Sequence, residues 1–223
     1  MKYTLIRSRR KTVALYVRAG LIEVRAPLKM PKSTIDRFVA SKEDWVTERL
    51  NILETQQRRR DDFTVDYGDE ILYRGKRYPV TKQDVKRAGF DGERFCIPPN
   101  LSAEQVKHAC VQVYRALAAQ HIKVRAYEFA ETMSVSPSAV KINKARSRWG
   151  SCSAKKSINF SWYLIMADDD LIDCIIVHEL AHLIEMNHSA RFWAIVESVL
   201  PDYKNSKARL KVLQNRLSGE NWE

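Results

Sequence analysis

The sequence predicts an α+β fold in two parts. A basic, β-rich N-terminal domain with one long helix covers residues 1–98, and a helical domain with a small antiparallel sheet covers residues 101–223. Three observations predict it. Apolar residues alternate with polar ones before residue 30 and again between 63 and 97. They recur at helical spacing from Ile35 to Leu53 and over most of the chain after Ser102. Pro98-Pro99-Asn100 breaks both patterns between the two parts.

Taken in order, Val13, Leu15 and Val17 alternate with Thr12, Ala14 and Tyr16, and Ala19-Gly20 turns the chain into a strand over Leu21–Ala26. This opening reads as a β-meander. Ser33 with Asp36 resembles a capping box for the long helix, whose apolar stripe is Ile35, Phe38, Val39, Trp45, Val46, Leu50 and Leu53. Further strands follow, with a hairpin around Arg74-Gly75-Lys76. Ser102 to about Met133 is helical, Pro137 interrupts, and Val140–Lys144 begins a short sheet. Ile158, Phe160, Trp162 and Leu164 alternate as a strand. Asp168-Asp169-Asp170 supplies negative charge where a helix dipole favours it. Asn187 is expected to end that helix in a left-handed conformation, Ser189 to cap a helix over Ala190–Leu200, and Pro201-Asp202 to open the last one.

At 223 residues, with 45% hydrophobic residues and only 7 Gly and 7 Pro, the chain can bury a core and does not read as disordered. No apolar run approaches the length of a membrane span, and the opening residues lack the apolar core of a signal peptide. Cys96, Cys110, Cys152 and Cys174 form no Cys-x-x-Cys pair, which suits reduced thiols in a cytoplasmic protein. The net charge of +11 is uneven: residues 1–60 hold fifteen Lys/Arg against six Asp/Glu. Such a surface attracts nucleic acid, nucleotides or acidic proteins, or is merely a solvated basic face.

Residues 178–182 read His-Glu-Leu-Ala-His, and His188 follows. On a helix His178 and His182 lie one turn apart on one face, so both imidazoles reach one ion. Glu179 can hold a water as general base without occupying a coordination position. His188, beyond the helix end, offers a third nitrogen, with Glu197 as the other candidate for that place. Three protein ligands with a fourth position open mark a catalytic zinc site. The flanking Ile175, Ile176, Val177, Leu180, Ala181 and Leu183 strengthen the reading, because buried histidines and a glutamate are costly unless paired or metal-bound.

The chain resembles the YgjP-like family of zinc metallopeptidases nearly end to end. The resemblance rests on Arg146–Cys152 (Arg-Ser-Arg-Trp-Gly-Ser-Cys), the strand ending in Trp162, and Val177–His182. It rests too on Asn187-His188-Ser189 with Phe192-Trp193, on Pro201-Asp202-Tyr203, and on the opening Arg9–Thr12 and Ile22–Pro27. It implies a zincin-like C-terminal domain in which His178, His182 and His188 hold one Zn2+ and Glu179 is the catalytic base. The ligand spacing is also similar to that of WLM and SprT-like peptidases, some of which act on proteins bound to DNA. Ser161 and Tyr163 depart from the Asn and Arg expected around the tryptophan of the family.

The expected chemistry is hydrolysis of a peptide or protein substrate. Tyr203, Arg148 and Arg209 are the candidate donors to the developing oxyanion, and the strand around Asn159–Tyr163 is a candidate edge for pairing with an extended substrate. Two other readings stay open. Arg146 and Arg148 could bind phosphates in a metal-dependent nucleotide or phosphoanhydride hydrolase. Alternatively, the chain is a DNA-associated binding protein whose metal is structural.

Overall fold

The structure, a computed structural model, describes residues 1–18 and 20–223; Ala19, expected in the first turn, lies outside the described residues. The described residues form six α-helices and ten strands in three small sheets, the α+β class that the patterning predicts. They divide into two compact units, Met1–Phe63 and Thr64–Glu223.

In the first unit, β1 (Thr4–Ser8), β2 (Ala14–Arg18) and β3 (Leu21–Pro27) are ordered β1-β3-β2. The arrangement is not a meander: β2 and β3 are antiparallel neighbours, but β1 takes the far edge of β3 in parallel. The strand period still acts as expected. Leu15 faces Val24 across the ladder, and Val24 and Ala26 bury with Ile35 and Val39 of the following helix.

The single long helix is in fact two, α1 (Lys32–Ala40) and α2 (Glu43–Asp61), parted at Ser41-Lys42. Ser41 Oγ donates to the Phe38 carbonyl there, competing with helical continuation. The capping box does not form either. Pro31, with φ −57°, occupies the N-cap and Ser33 lies inside the helix, while Asp36 accepts from Tyr3 Oη and from Lys32 Nζ.

The second unit begins with β4 (Glu70–Tyr73), β5 (Lys76–Lys82), β6 (Gly89–Phe90) and β7 (Phe95–Ile97), in the order β4-β5-β7-β6. Helix α3 (Ala103–Thr132) carries a true capping box, with Ser102 and Gln105 bonding each other's backbone N–H. Then come β8 (Ala139–Asn143), β9 (Gly150–Cys152), β10 (Ser157–Ser161), α4 (Asp169–Ala181), α5 (Ala190–Val199) and α6 (Tyr203–Ser218).

The expected hairpin is present. Arg74 and Gly75, at φ 47° and 75°, make the two-residue turn between Tyr73 and Lys76. That turn docks just before α4: Arg74 N–H donates to Ile165 O at 2.9 Å and Gly75 N–H to Met166 O at 3.2 Å. The Arg74 guanidinium grips Asp169 with two bonds of 2.7 Å. A Cβ at Gly75 would collide with the Asp168 carboxylate, so the approach needs glycine as well as the turn does. Tyr114 of α3 donates to Leu72 O at 2.6 Å, and its ring lies 5.2 Å from that of Phe95. These links bind residues 64–98 to everything after them. The division therefore falls at 63/64 rather than at the expected 98/101, and Pro98-Pro99-Asn100 is a connection inside the second unit.

The later sheet is mixed, not antiparallel: β10 runs parallel to β8 and antiparallel to β9. As the central strand β10 has no free edge to offer a substrate; β9 does. The strand expected through Leu164 stops at Ser161, and Trp162–Met166 form a 3-10 turn. All five of those side chains are buried, which a strand with one wet face could not achieve. Among the described residues no helix is long and apolar enough to cross a membrane.

Candidate metal centre

Helix α4 ends at Ala181, with His182 as its C-cap residue in αR geometry, so His178 and His182 occupy its final turn. The chain then turns through Leu183–Asn187 and returns at His188, immediately before Ser189 caps α5 by accepting from Phe192 N–H. Asn187 is absent from the positive-φ residues, so it does not provide the left-handed stop expected of it. The return instead starts with N–H donation from Ile184 and Glu185 to Ala181 O.

The result brings one ligand atom from each of His178, His182 and His188 within 4.8 Å of the others. His178 Nε2 and His188 Nε2 stand 3.1 Å apart. Two nitrogens at about 2.05 Å from one tetrahedral ion are about 3.3 Å apart, so that pair already has the required separation. His182 Nδ1 lies 3.3 Å from Glu185 O, leaving Nε2 as the free donor atom. Burial, reinforced by the two neighbouring imidazoles, pulls the His178 pKa down to about 4; burial also lowers that of His182. Both are therefore neutral near pH 7, the form that binds metal. The donor set fits a metal ion.

Around the triad the rings of Phe192 and Trp193 form a wall. Phe192 is fully buried and lies 4.6–5.0 Å from all three imidazoles, and Trp193 lies 5.8 Å from His178 and 5.7 Å from His188. Such surroundings hold ligand orientation and lower the local dielectric. Spacing alone does not reveal this, because the contacts join α5 to the end of α4.

Glu179 is 6% exposed, and burial raises its pKa to about 7, opposed by the charge of Arg148. Its side chain lies against β9. A Cβ on Gly150 would come within 2.6 Å of Glu179 Cγ and 2.7 Å of Oε1. Gly150 is the residue that sequence reasoning missed. The local pattern showed only a glycine after a tryptophan, and its closeness to Glu179 is purely tertiary.

The loop bringing Gly150 there is tied on several sides. Ser161 Oγ donates to Ala145 O at 2.6 Å, Gln214 Nε2 to Arg146 O at 2.6 Å, and Arg146 Nη2 to Glu220 O at 2.8 Å. Ser161 and Tyr163 are 1% and 5% exposed, so these departures from the family pattern serve the fold and do not face solvent. The Cys152 thiol is pushed up by burial and by Glu179, the reverse of an activated nucleophile.

The other candidates are placed unevenly. Arg148 is exposed, with its charge felt at Glu179. Tyr203 stacks on Trp193 at 5.4 Å and 12°, one ring removed from His188. Arg209 is held by Asp168 and Asp170 at the opposite end of α4 and is not brought to the triad. Glu197 pairs with Lys204 at 2.9 Å and lies outside the histidine cluster.

A family profile described as YgjP-like, metallopeptidase domain, matches residues 11–213. The chain belongs to the YgjP-like family. Within that family match fall all three histidines, Glu179 and Gly150. No curated protein matches. Among solved structures, the metallopeptidase zymogen abylysin of Pyrococcus abyssi is 23% identical over 41% of this chain and 92% of its own, with a TM-score of 0.38. The metallopeptidase zymogen jannalysin of Methanocaldococcus jannaschii is 24% identical over 42% and 94%, with a TM-score of 0.36.

Proposed function

We propose that this YgjP-like chain is a zinc-dependent peptidase in which His178, His182 and His188 hold one ion and Glu179 moves the protons. The observation that carries the reading is the convergence of three imidazoles, with the carboxyl of Glu179, next in the chain to His178, buried against Gly150. Bound there, zinc supplies Lewis acidity, which ionises water near neutral pH and polarises a carbonyl.

Glu179, as carboxylate, takes the proton of the attacking water and passes it to the leaving amine. A cation at the adjacent triad favours that ionised form, while burial keeps the carboxyl basic enough to accept a proton. Gly150 leaves the room that Glu179 needs. The open edge of β9 offers backbone N–H and C=O groups to an extended substrate, the role that β10 cannot take. Arg148 and then Tyr203 are the groups we assign to the developing oxyanion; Arg209 is committed to its aspartates. Because Arg146 is turned to the Glu220 carbonyl, the arginine pair invoked for phosphate binding is not intact, which favours peptides over phosphoanhydrides.

The test is a proteome-wide search for new N-termini after incubation with zinc-loaded protein, with Glu179→Gln as control. Termini that depend on Glu179, at unchanged zinc content, support a peptidase. Equal termini with both proteins remove Glu179 as base, and none with either removes the peptidase reading.

A further inference from the structure

Far from the triad in sequence, the first unit contains a groove of about 410 Å³. One wall is β2, through the consecutive residues Leu15, Tyr16, Val17 and Arg18. The other is one face of α2, through Trp45, Glu48, Arg49 and Ile52, the i, i+3, i+4, i+7 positions that share a helix side. We propose that this groove docks an extended, acidic segment of a partner protein, which adds to β2 as a further strand.

Three features argue for that occupant. First, β2 is an end strand, so the N–H and C=O groups on its outer side are not used by the sheet. Natural edges are usually blunted by proline, lysine or a bulge. β2 carries none of these, and its one charged residue is Arg18 at its end. Second, the helix wall leaves Trp45 47% and Ile52 39% exposed over the groove. Large apolar side chains held open beside a bare strand edge suit alternate apolar side chains of an added strand. Third, Arg18 and Arg49 lie in the groove, and the unit holds fifteen Lys/Arg against eight Asp/Glu. Acidic residues flanking the apolar ones are the complement.

The same observations weigh against other occupants. A second copy would bring two strongly basic units together. A single-stranded nucleic acid needs open ring faces for its bases. Here the Tyr16 ring has the Arg25 guanidinium over it at 4.9 Å and that of Arg18 at 5.7 Å, which leaves Trp45 as the open ring of the groove, and Glu48 places a negative charge beside it.

The inference is independent of the hydrolytic reading, and its test involves no turnover. Full-length Glu179→Gln protein is titrated at low salt into a fluorescein-labelled peptide of about ten residues, alternating Val and Thr between Glu-Glu ends. Anisotropy should report binding that weakens with salt and falls at least tenfold in Arg49→Glu and in Trp45→Ala. Both sites are exposed, and circular dichroism checks the folding of each variant. A peptide N-methylated at alternate residues, unable to pair, should not bind. Equal binding of the methylated peptide overturns strand addition. Binding unchanged in Arg49→Glu and Trp45→Ala places it elsewhere and overturns the site. Tighter binding of an oligothymidine, lost in Arg49→Glu, overturns it in favour of nucleic acid. A dimer in sedimentation that Trp45→Ala dissolves overturns it in favour of a second copy, and no binding at low salt overturns it outright.

Discussion

Gly150 makes the closest demand on the site. Its missing side chain is where Glu179 lies, so Gly150→Ala must either push the carboxyl aside or shift β9. Turnover should fall at least a hundredfold while zinc affinity, measured by chelator competition, stays within a few-fold. Overpacking of this size should lower stability by about 1–3 kcal/mol in denaturant unfolding. Zinc lost in parallel with activity would mean that Gly150 supports the triad rather than Glu179. At the proposed third ligand, His188→Ala should weaken zinc binding by at least tenfold, whereas Glu197→Gln, whose carboxylate is paired with Lys204, should leave it unchanged. The gathering of the three histidines was legible in the sequence because residues one turn apart on a helix share a face, and the structure brings His178, His182 and His188 together. Gly150 and Phe192 were not, because what they touch comes from other elements.

Among the elements, α4 carries the site and is tied to three others through arginine. Arg74 of the β4–β5 turn holds Asp169, Arg125 of α3 holds Asp173 at 2.7 and 3.0 Å, and Arg209 of α6 holds Asp168 and Asp170. The bond from Arg74 lowers the Asp169 pKa, against the effect of burial. A carboxyl whose pKa falls on folding adds stability above its unfolded value of about 3.9, and that share fades as pH drops through the lower folded value. Asp169→Asn should therefore lower the thermal midpoint at pH 6, with the deficit shrinking as pH falls below about 3.9 and through the lower folded value. Both partners are more than a third exposed, so the loss should stay near 1 kcal/mol or less. A deficit that does not shrink with acid would assign the effect to packing instead.

Elements with clear end signals were readable: α3 opens after Ser102 as expected, and Ser189 caps α5. The 3-10 turn at Trp162–Met166 escaped because a fully buried apolar run carries no period to read. The division of the first helix escaped because Ser41-Lys42 lacks glycine or proline.

For the whole molecule, the boundary at Phe63 has a consequence for truncation. Residues 64–223 keep the aromatic chain from Tyr73, Phe90 and Phe95 through Tyr114 to Trp162 and Trp222. A protein starting at Thr64 should unfold cooperatively and bind one zinc per chain. One starting at Leu101 strips Phe95 from Tyr114 and should be soluble poorly or not at all. Calorimetry and metal analysis of the two decide it, and a stable Leu101 form would restore the boundary at Pro98-Pro99. The sequence pointed there because proline punctuation is local, whereas domain membership is set by the partners that side chains find in space.

The Gly75 turn gives α4 the mechanics of a lever. The helix is a stiff rod, and from Asp169 to His178 it runs about 13.5 Å at 1.5 Å per residue. One end rests on a glycine that admits no added atom, and the other presents the imidazoles. A methyl group at Gly75 would meet the Asp168 carboxylate first and its Cα at 3.2 Å, so whatever that side chain could not yield would tilt the rod that carries the histidines. A residue in a surface hairpin thus bears on the seating of the helix that carries the candidate metal centre.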